Sequence, residues 1–382
     1  MEEHDYFGSG NSEPDAPQPT TPTPPPKLID VPEPALDDEP KSSKRWLLVT
    51  LMVLAILAII GGTAYYEYRQ ANEPTPAKKT AAQITTTPAS TPSTTAASAT
   101  VPGLQLDTAK SYGNKYANGL LPVGDGKYVT TGAKQGYVYT CAQYAQNFQR
   151  EQGGAGTRGP WFTNNNTQYD INKKAHVSGS VSWNPVFNNN LSGTTRTITT
   201  NDLPNHPTGV FPIAASDVAY AYDRNPNSIS ARSLTYALPG SPTYGNPSCM
   251  GGEAGVMLTG VALFNAFDAG GRDAGAWEVQ DSCSGHPQKD GEYHYHTLSS
   301  CIKDTSVHTV IGYALDGFPI TGPQVGTNNI LTTSDLDECH GIVSSVLENG
   351  KSVTTYHYVM TQDFPYSVSC FRGQAIQPPN HP

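Results

Sequence analysis

An apolar run from Trp46 to Tyr66, entered at Arg45 and free of charge until Glu67, divides this 382-residue chain before any fold can be considered. About 20 apolar residues rising 1.5 Å each match a bilayer core of roughly 30 Å. Trp46 at one end and Tyr65, Tyr66 and Tyr68 at the other suit the two interfacial belts. A cleaved signal peptide would carry a much shorter charged leader and a shorter apolar stretch. The sequence therefore predicts a transmembrane helix over 45–68. Lys41, Lys44 and Arg45 precede it, while Glu67 and Arg69 nearly cancel after it. By the positive-inside rule the N-terminus is cytoplasmic and the C-terminal part lies outside, making a single-pass protein of the cell membrane with the lipid bilayer as a partner.

The flanks of that run are not expected to fold. Residues 1–44 are proline-rich and acidic, with Thr23-Pro24-Pro25-Pro26 and no apolar period, the composition of a disordered tail. Residues 69–100 form a Thr/Ala/Pro/Ser linker, which reads as a stalk. Globular character begins near Val101. Residues 101–382 carry a net charge of −5, half of the chain's −10, without a basic patch, so nucleic acid is not an expected partner. Walker, dinucleotide and GxSxG fingerprints are absent, and no nucleotide cofactor is expected.

All six cysteines, Cys141, Cys249, Cys283, Cys301, Cys339 and Cys370, fall in this ectodomain. An even set confined to the outer side points to disulfides in an oxidising compartment. Cys283 with Cys301 and Cys339 with Cys370 are the expected pairs, since each brackets a histidine block. No CxxC spacing supports thiolate metal ligation. Short Thr/Val/Tyr runs between Gly, Pro and Asn clusters predict a mostly β ectodomain, a loop-rich sandwich or barrel. Strands are expected at Tyr128–Thr131, Gly136–Thr140, Ala175–Trp183, Thr194–Thr200, Gly255–Phe264, Val307–Ala314 and Ser352–Met360. One helix is expected at Ala142–Gln149.

The densest chemistry lies between Asp281 and Cys301, a stretch with three histidines, three acids and two cysteines. In an extended Tyr293-His294-Tyr295-His296, the two imidazoles point to one face and the two phenols to the other. His286, returned by a turn at Asp290-Gly291, is a third candidate ligand. A partial echo follows. Asp281, Cys283, Gly285, Tyr293-His294-Tyr295 and Cys301 recur in order as Asp337, Cys339, Gly341, Tyr356-His357-Tyr358 and Cys370, with Val359 where His296 would stand. Two such units could pair their strands and face His294, His296 and His357 toward one cleft.

The wording of these blocks resembles the YHYH domain family. Besides the tetrapeptide itself, matching blocks are Asn205-His206-Pro207-Thr208-Gly209, Asn225-Pro226-Asn227, Gly260–Asn265, Gly312–Ile320, Asp337–Gly341, Phe364-Pro365-Tyr366 and Cys370–Gly373. They run in order across roughly 200–375. The resemblance implies an extracytoplasmic domain and no particular activity.

For function, imidazole density favours a transition metal, copper or zinc, held by His286, His294, His296 and His357 with Asp281 as carboxylate. The alternative for the same residues is a buried His/Tyr hydrogen-bond network. Tyr293, Tyr295, His206 and His340 are expected at the rim or behind the ligands. Asp316 reads equally as a turn residue and as a general base, which would make the chain a metal-independent hydrolase. A third possibility is a stalked recognition or adhesion module that presents Trp161, Trp183 and Trp277 in exposed loops. Asp268, Asp273 and Glu278, in an acidic glycine-rich stretch without EF-hand spacing, are expected in a loop that closes over the site.

Overall fold

The computed structural model describes residues 101–144 and 157–379. The expected tail, transmembrane helix and linker lie outside the described residues, as does most of the helix expected at 142–149. Among the described residues no helix is long and apolar enough to cross a membrane.

The domain is mostly β. Short strands come first: β1 (Leu120–Pro122), β2 (Tyr128–Val129), β3 (Val138–Tyr139), β4 (Phe162–Thr163) and β5 (Gln168–Asp170). An antiparallel meander follows, β6 (Phe187–Ser192), β7 (Thr195–Thr200) and β8 (Leu234–Pro239). The principal sheet is built from β9 (Glu253–Met257), β10 (Ala262–Phe264), β11 (Gly285–Pro287), β12 (Tyr293–Tyr295), β13 (Val310–Ala314) and β14 (Pro319–Thr321). It is completed, after the small pair β15 (Gln324–Gly326) and β16 (Asn329–Ile330), by β17 (Gly341–Glu348) and β18 (Lys351–Val359). One helical turn, α1 (Ala274–Trp277), lies between β10 and β11.

Two strand expectations change. Ala175–Trp183 makes only isolated bridges, at Val177 and Val181. Gly255–Phe264 is not one strand but the hairpin β9–β10, because Gly260 turns the chain at φ 101°.

The eight strands are ordered β11-β12-β10-β9-β13-β14-β18-β17, and the sheet stays open. This corrects the barrel alternative. Closure would need β11 to pair with β17, but irregular chain already covers both edges. Leu106 N–H donates to Val343 O (2.9 Å) on β17, and Asn225 Nδ2 donates to Pro287 O (2.8 Å) on β11. The strands of the sheet centre, β9 and β13, are buried at every position, as strands covered on both faces must be. Ile198, Leu234, Tyr236 and Leu238 of the meander join Val256, Leu263, Tyr293 and Tyr313 in one buried cluster.

The strand order is the same read outward from its middle in either direction. On each side come a hairpin, a parallel neighbour and an antiparallel outer strand. At the middle, Met257 lies opposite Gly312, Val256 opposite Tyr313 and Gly255 opposite Ala314, so a half-turn exchanges the two halves. Gly255-Val-Met-Leu-Thr-Gly260-Val-Ala-Leu263 thereby superposes on Gly312-Tyr-Ala-Leu-Asp-Gly317-Phe-Pro-Ile320. Gly260 N–H donates to Met257 O and Gly317 N–H to Ala314 O, both at 2.9 Å.

The outer hairpins repeat in the same detail. Asp281 Oδ1 accepts from Cys283 N–H (2.8 Å) and Gly285 N–H (3.3 Å), and Tyr293 O–H reaches the same carboxylate (2.9 Å). Asp337 Oδ1 accepts from Cys339 N–H (3.0 Å), Gly341 N–H (2.8 Å) and Tyr356 O–H (3.1 Å). Ser284 and His340 hold the same left-handed backbone position, φ 65° and 73°. Disulfides Cys283–Cys301 and Cys339–Cys370 tie the two loops, and Cys141–Cys249 is the third. The expected cysteine pairs and the sequence echo are thus both present in the fold.

Gly285 and Gly341 sit beneath the clamped rings. A Cβ on Gly285 would lie 2.2 Å from Tyr293 Cζ, and one on Gly341 2.1 Å from the Tyr356 hydroxyl. Gly285→Ala and Gly341→Ala should each cost about 1–3 kcal/mol of stability by forced displacement of a buried ring. Denaturant unfolding checks this; unchanged midpoints for both variants would disprove the shared packing.

Candidate metal centre

Strand β12 separates its side chains as the alternation predicts. Tyr293 and Tyr295 enter the core, and His294 and His296 share the other face. His286 lies directly opposite His294 across β11 and β12, which puts its ring on that face as well. The ring centroids are 4.5 Å (His286–His294), 4.9 Å (His294–His296) and 5.5 Å (His286–His296) apart. Phe264, on the adjacent strand β10, stacks on His294 at 4.2 Å and excludes water from that side.

The fourth group comes from the loop between β10 and β11. Glu278 Oε2 lies 3.3 Å from His286 Nε2 and 3.3 Å from His296 Nε2. Several contacts fix this loop. Asp268 pairs with Arg272 (2.7 Å), and Asp273 caps α1 through Ala276 N–H (3.3 Å). The buried Lys174 donates to Gly275 O (2.6 Å) and Gln280 Oε1 (2.8 Å). The acidic glycine-rich stretch does close over the site, and it contributes a candidate ligand that the sequence reading had placed only in the cover.

Ring orientation decides what these groups can do. His294 Nδ1 faces Glu292 O and His296 Nδ1 faces Asn265 O, both acceptors, so each Nδ1 carries the proton. Both Nε2 atoms then present lone pairs to one another at 3.1 Å. Neither nitrogen of His286 has a hydrogen-bond partner, and neither does Glu278 Oε2. Burial holds all three imidazoles below their ordinary range, His296 at about 4, and the neighbouring rings add to this for His286 and His294. Burial, reinforced by Asp268 and Asp223, pushes Glu278 well up.

Three imidazoles with free lone pairs, their ligand atoms within 4.8 Å of one another, could hold a metal ion. Ligands about 2.0–2.1 Å from a tetrahedral ion lie about 3.3 Å apart, close to the 3.1 and 3.3 Å separations here. Nitrogen and carboxylate donors suit zinc, copper or iron. His206, Cys283 and Cys301 also converge, but the two sulfurs are bonded to each other and offer no thiolate.

Several expected site residues stand elsewhere. Asp281 is not among the groups that converge with the three histidines; its oxygens accept from the turn amides, Gly209 N–H and the Tyr293 hydroxyl. His357 does not face the same cleft as His294. Their strands are five steps apart in the sheet, about 24 Å at about 4.8 Å per step. It instead meets Thr321 Oγ1 (3.0 Å) and Ser344 Oγ (2.8 Å). Asp316 is buried and accepts from the Tyr358 hydroxyl and from the amides of Phe318, Arg372 and Gly373, a set that locks a turn and leaves no freedom for a general base. His340 is buried against Thr361, and His206 meets the Tyr295 hydroxyl behind the ligand strand. Trp161 is fully buried, with Trp183 and Trp277 partly so, which removes the exposed aromatic platform of the adhesion reading.

Residues 235–332 match the family model described as YHYH protein, so the chain carries a YHYH domain. The matched span holds the first of the two halves and the start of the second. No curated protein and no solved structure matches the chain.

Burial lowers His357 from 6.5 to about 3. Its folded state refuses a proton that the unfolded chain takes up, so its contribution is complete above pH 6.5 and is lost as pH falls toward 3. Between pH 7 and 5 this linkage amounts to about 2 kcal/mol. His357→Gln should flatten the pH dependence of unfolding free energy over that window, as measured by denaturant titration; an unaltered slope would contradict the assignment.

Proposed function

We propose that this chain is a membrane-anchored, extracytoplasmic protein that binds one transition metal ion through His286, His294, His296 and Glu278. The observation that carries the proposal is the convergence of three imidazoles and one carboxylate, in which both nitrogens of His286 and Glu278 Oε2 lack hydrogen-bond partners and the Nε2 atoms of His294 and His296 face each other. Zinc suits this donor set best, since a carboxylate joins the imidazoles, with copper the second choice. Four protein donors complete a tetrahedral shell and leave no position for a substrate, which favours binding over hydrolysis. The three disulfides support an oxidising compartment, and the apolar run over 45–68 supplies the anchor.

The test is the metal content of the full-length chain, produced through an exporting host and purified in detergent without chelating resin. About one equivalent is expected. His294→Ala/His296→Ala should remove it, and Glu278→Ala should weaken zinc at least tenfold in competition with a chelator, with the near-ultraviolet dichroism of the core retained. A parent that is empty and takes up no zinc, copper or iron on reconstitution would overturn the proposal.

A further inference from the structure

The second half of the sheet carries the same frame as the first and fills the metal position differently. Ile342 lies opposite His357 as His286 lies opposite His294. Tyr295 pairs with Leu263 and Tyr358 with Ile320, which puts Val359 at the place of His296 and Thr321 at that of Phe264. Of the three imidazoles, only His357 is kept. Thr321 and Ser344 engage both of its nitrogens, so no lone pair is left over. Ile342 and Val359 pack with Val307, Leu331 and Leu336 in a separate apolar cluster, each at most 1% exposed. The clamp, the left-handed turn and the disulfide around this cluster match those around the histidines.

We infer that the second half is the same unit with its metal position closed by apolar side chains, so that the fold does not depend on the ion and the ion serves the first half alone. This rests on the metal reading of the first half and adds a role to it. Where a structural zinc site supplies folding energy outright, here the hairpin is already closed by a carboxylate clamp and a disulfide. The second half shows that an oily cluster completes it equally well.

The test transfers the second half's residues to the first. In the full-length chain, His286→Ile/His296→Val should bind no metal yet fold, form all three disulfides and unfold within a few degrees of the metal-stripped parent. A variant that fails to fold, or a stripped parent that unfolds at room temperature, would overturn the inference. The reciprocal Ile342→His/Val359→His, with Ser344→Ala to free His357 Nε2, should raise zinc or cobalt(II) from one equivalent to two, with a second set of cobalt visible bands. A folded variant that stays at one equivalent would also overturn it; should this variant not fold, the first exchange decides alone. An empty parent defeats the metal reading before either variant is made, and this inference with it.

Discussion

Everything at the outer ends of the sheet hangs on a buried carboxylate that closes a turn. Asp281 and Asp337 each gather two amides from the turn they open and a tyrosine hydroxyl from the strand across the hairpin. A turn with a residue near φ +65° to +73° is unfavourable for a non-glycine side chain. Charge-assisted hydrogen bonds are about twice as strong as neutral ones and here offset that strain. The glycine after the turn lets the tyrosine ring lie flat over the backbone, so residue choice at three places serves one interaction. Because the ring is pinned on one face of β12, the register of the strand is fixed and the two histidines must face the other way.

The histidine cluster of the candidate metal centre follows from that register and from burial. Burial disfavours the charged form of each imidazole in this site and therefore keeps the rings neutral. Neutral rings with Nδ1 committed to carbonyl groups are the form that ligates metal. Backbone carbonyls of Glu292 and Asn265, rather than charged groups, hold the rings of His294 and His296 in that form. Phe264 on one side and the loop carrying Glu278 on the other keep the surroundings dry.

Much of this was legible in the sequence where the determinants are local. Period-two alternation placed His294 opposite to Tyr293 and Tyr295 correctly, and the cysteines bracketing each histidine block do pair. The echo between Asp281–Cys301 and Asp337–Cys370 was visible in residue order alone. What escaped depended on distance along the chain or across the sheet. Glu278 reaches the site because a loop pinned by Lys174 and Asp273 folds back, a contact no spacing rule encodes. His357 shares a motif with His294, yet the half-turn that relates the copies puts the two motifs near opposite ends of the strand order. Asp281 has the residue type of a ligand, but its neighbouring amides claim it first. Asp316 was legible as a turn residue from Asp-Gly, and that is the role it fills.

The pairing of β9 with β13 at the middle of the sheet has its own consequence. Each half, taken alone, would end in a flat, apolar, fully hydrogen-bonding strand edge, the kind that recruits another chain. Two identical halves meeting there about a two-fold axis would form a closed dimer of the isologous type. Joining both halves in one polypeptide turns that association into an intramolecular contact, independent of concentration. It also frees the two halves to differ, which identical subunits of a dimer cannot do: one can keep a polar centre while the other carries an inert core.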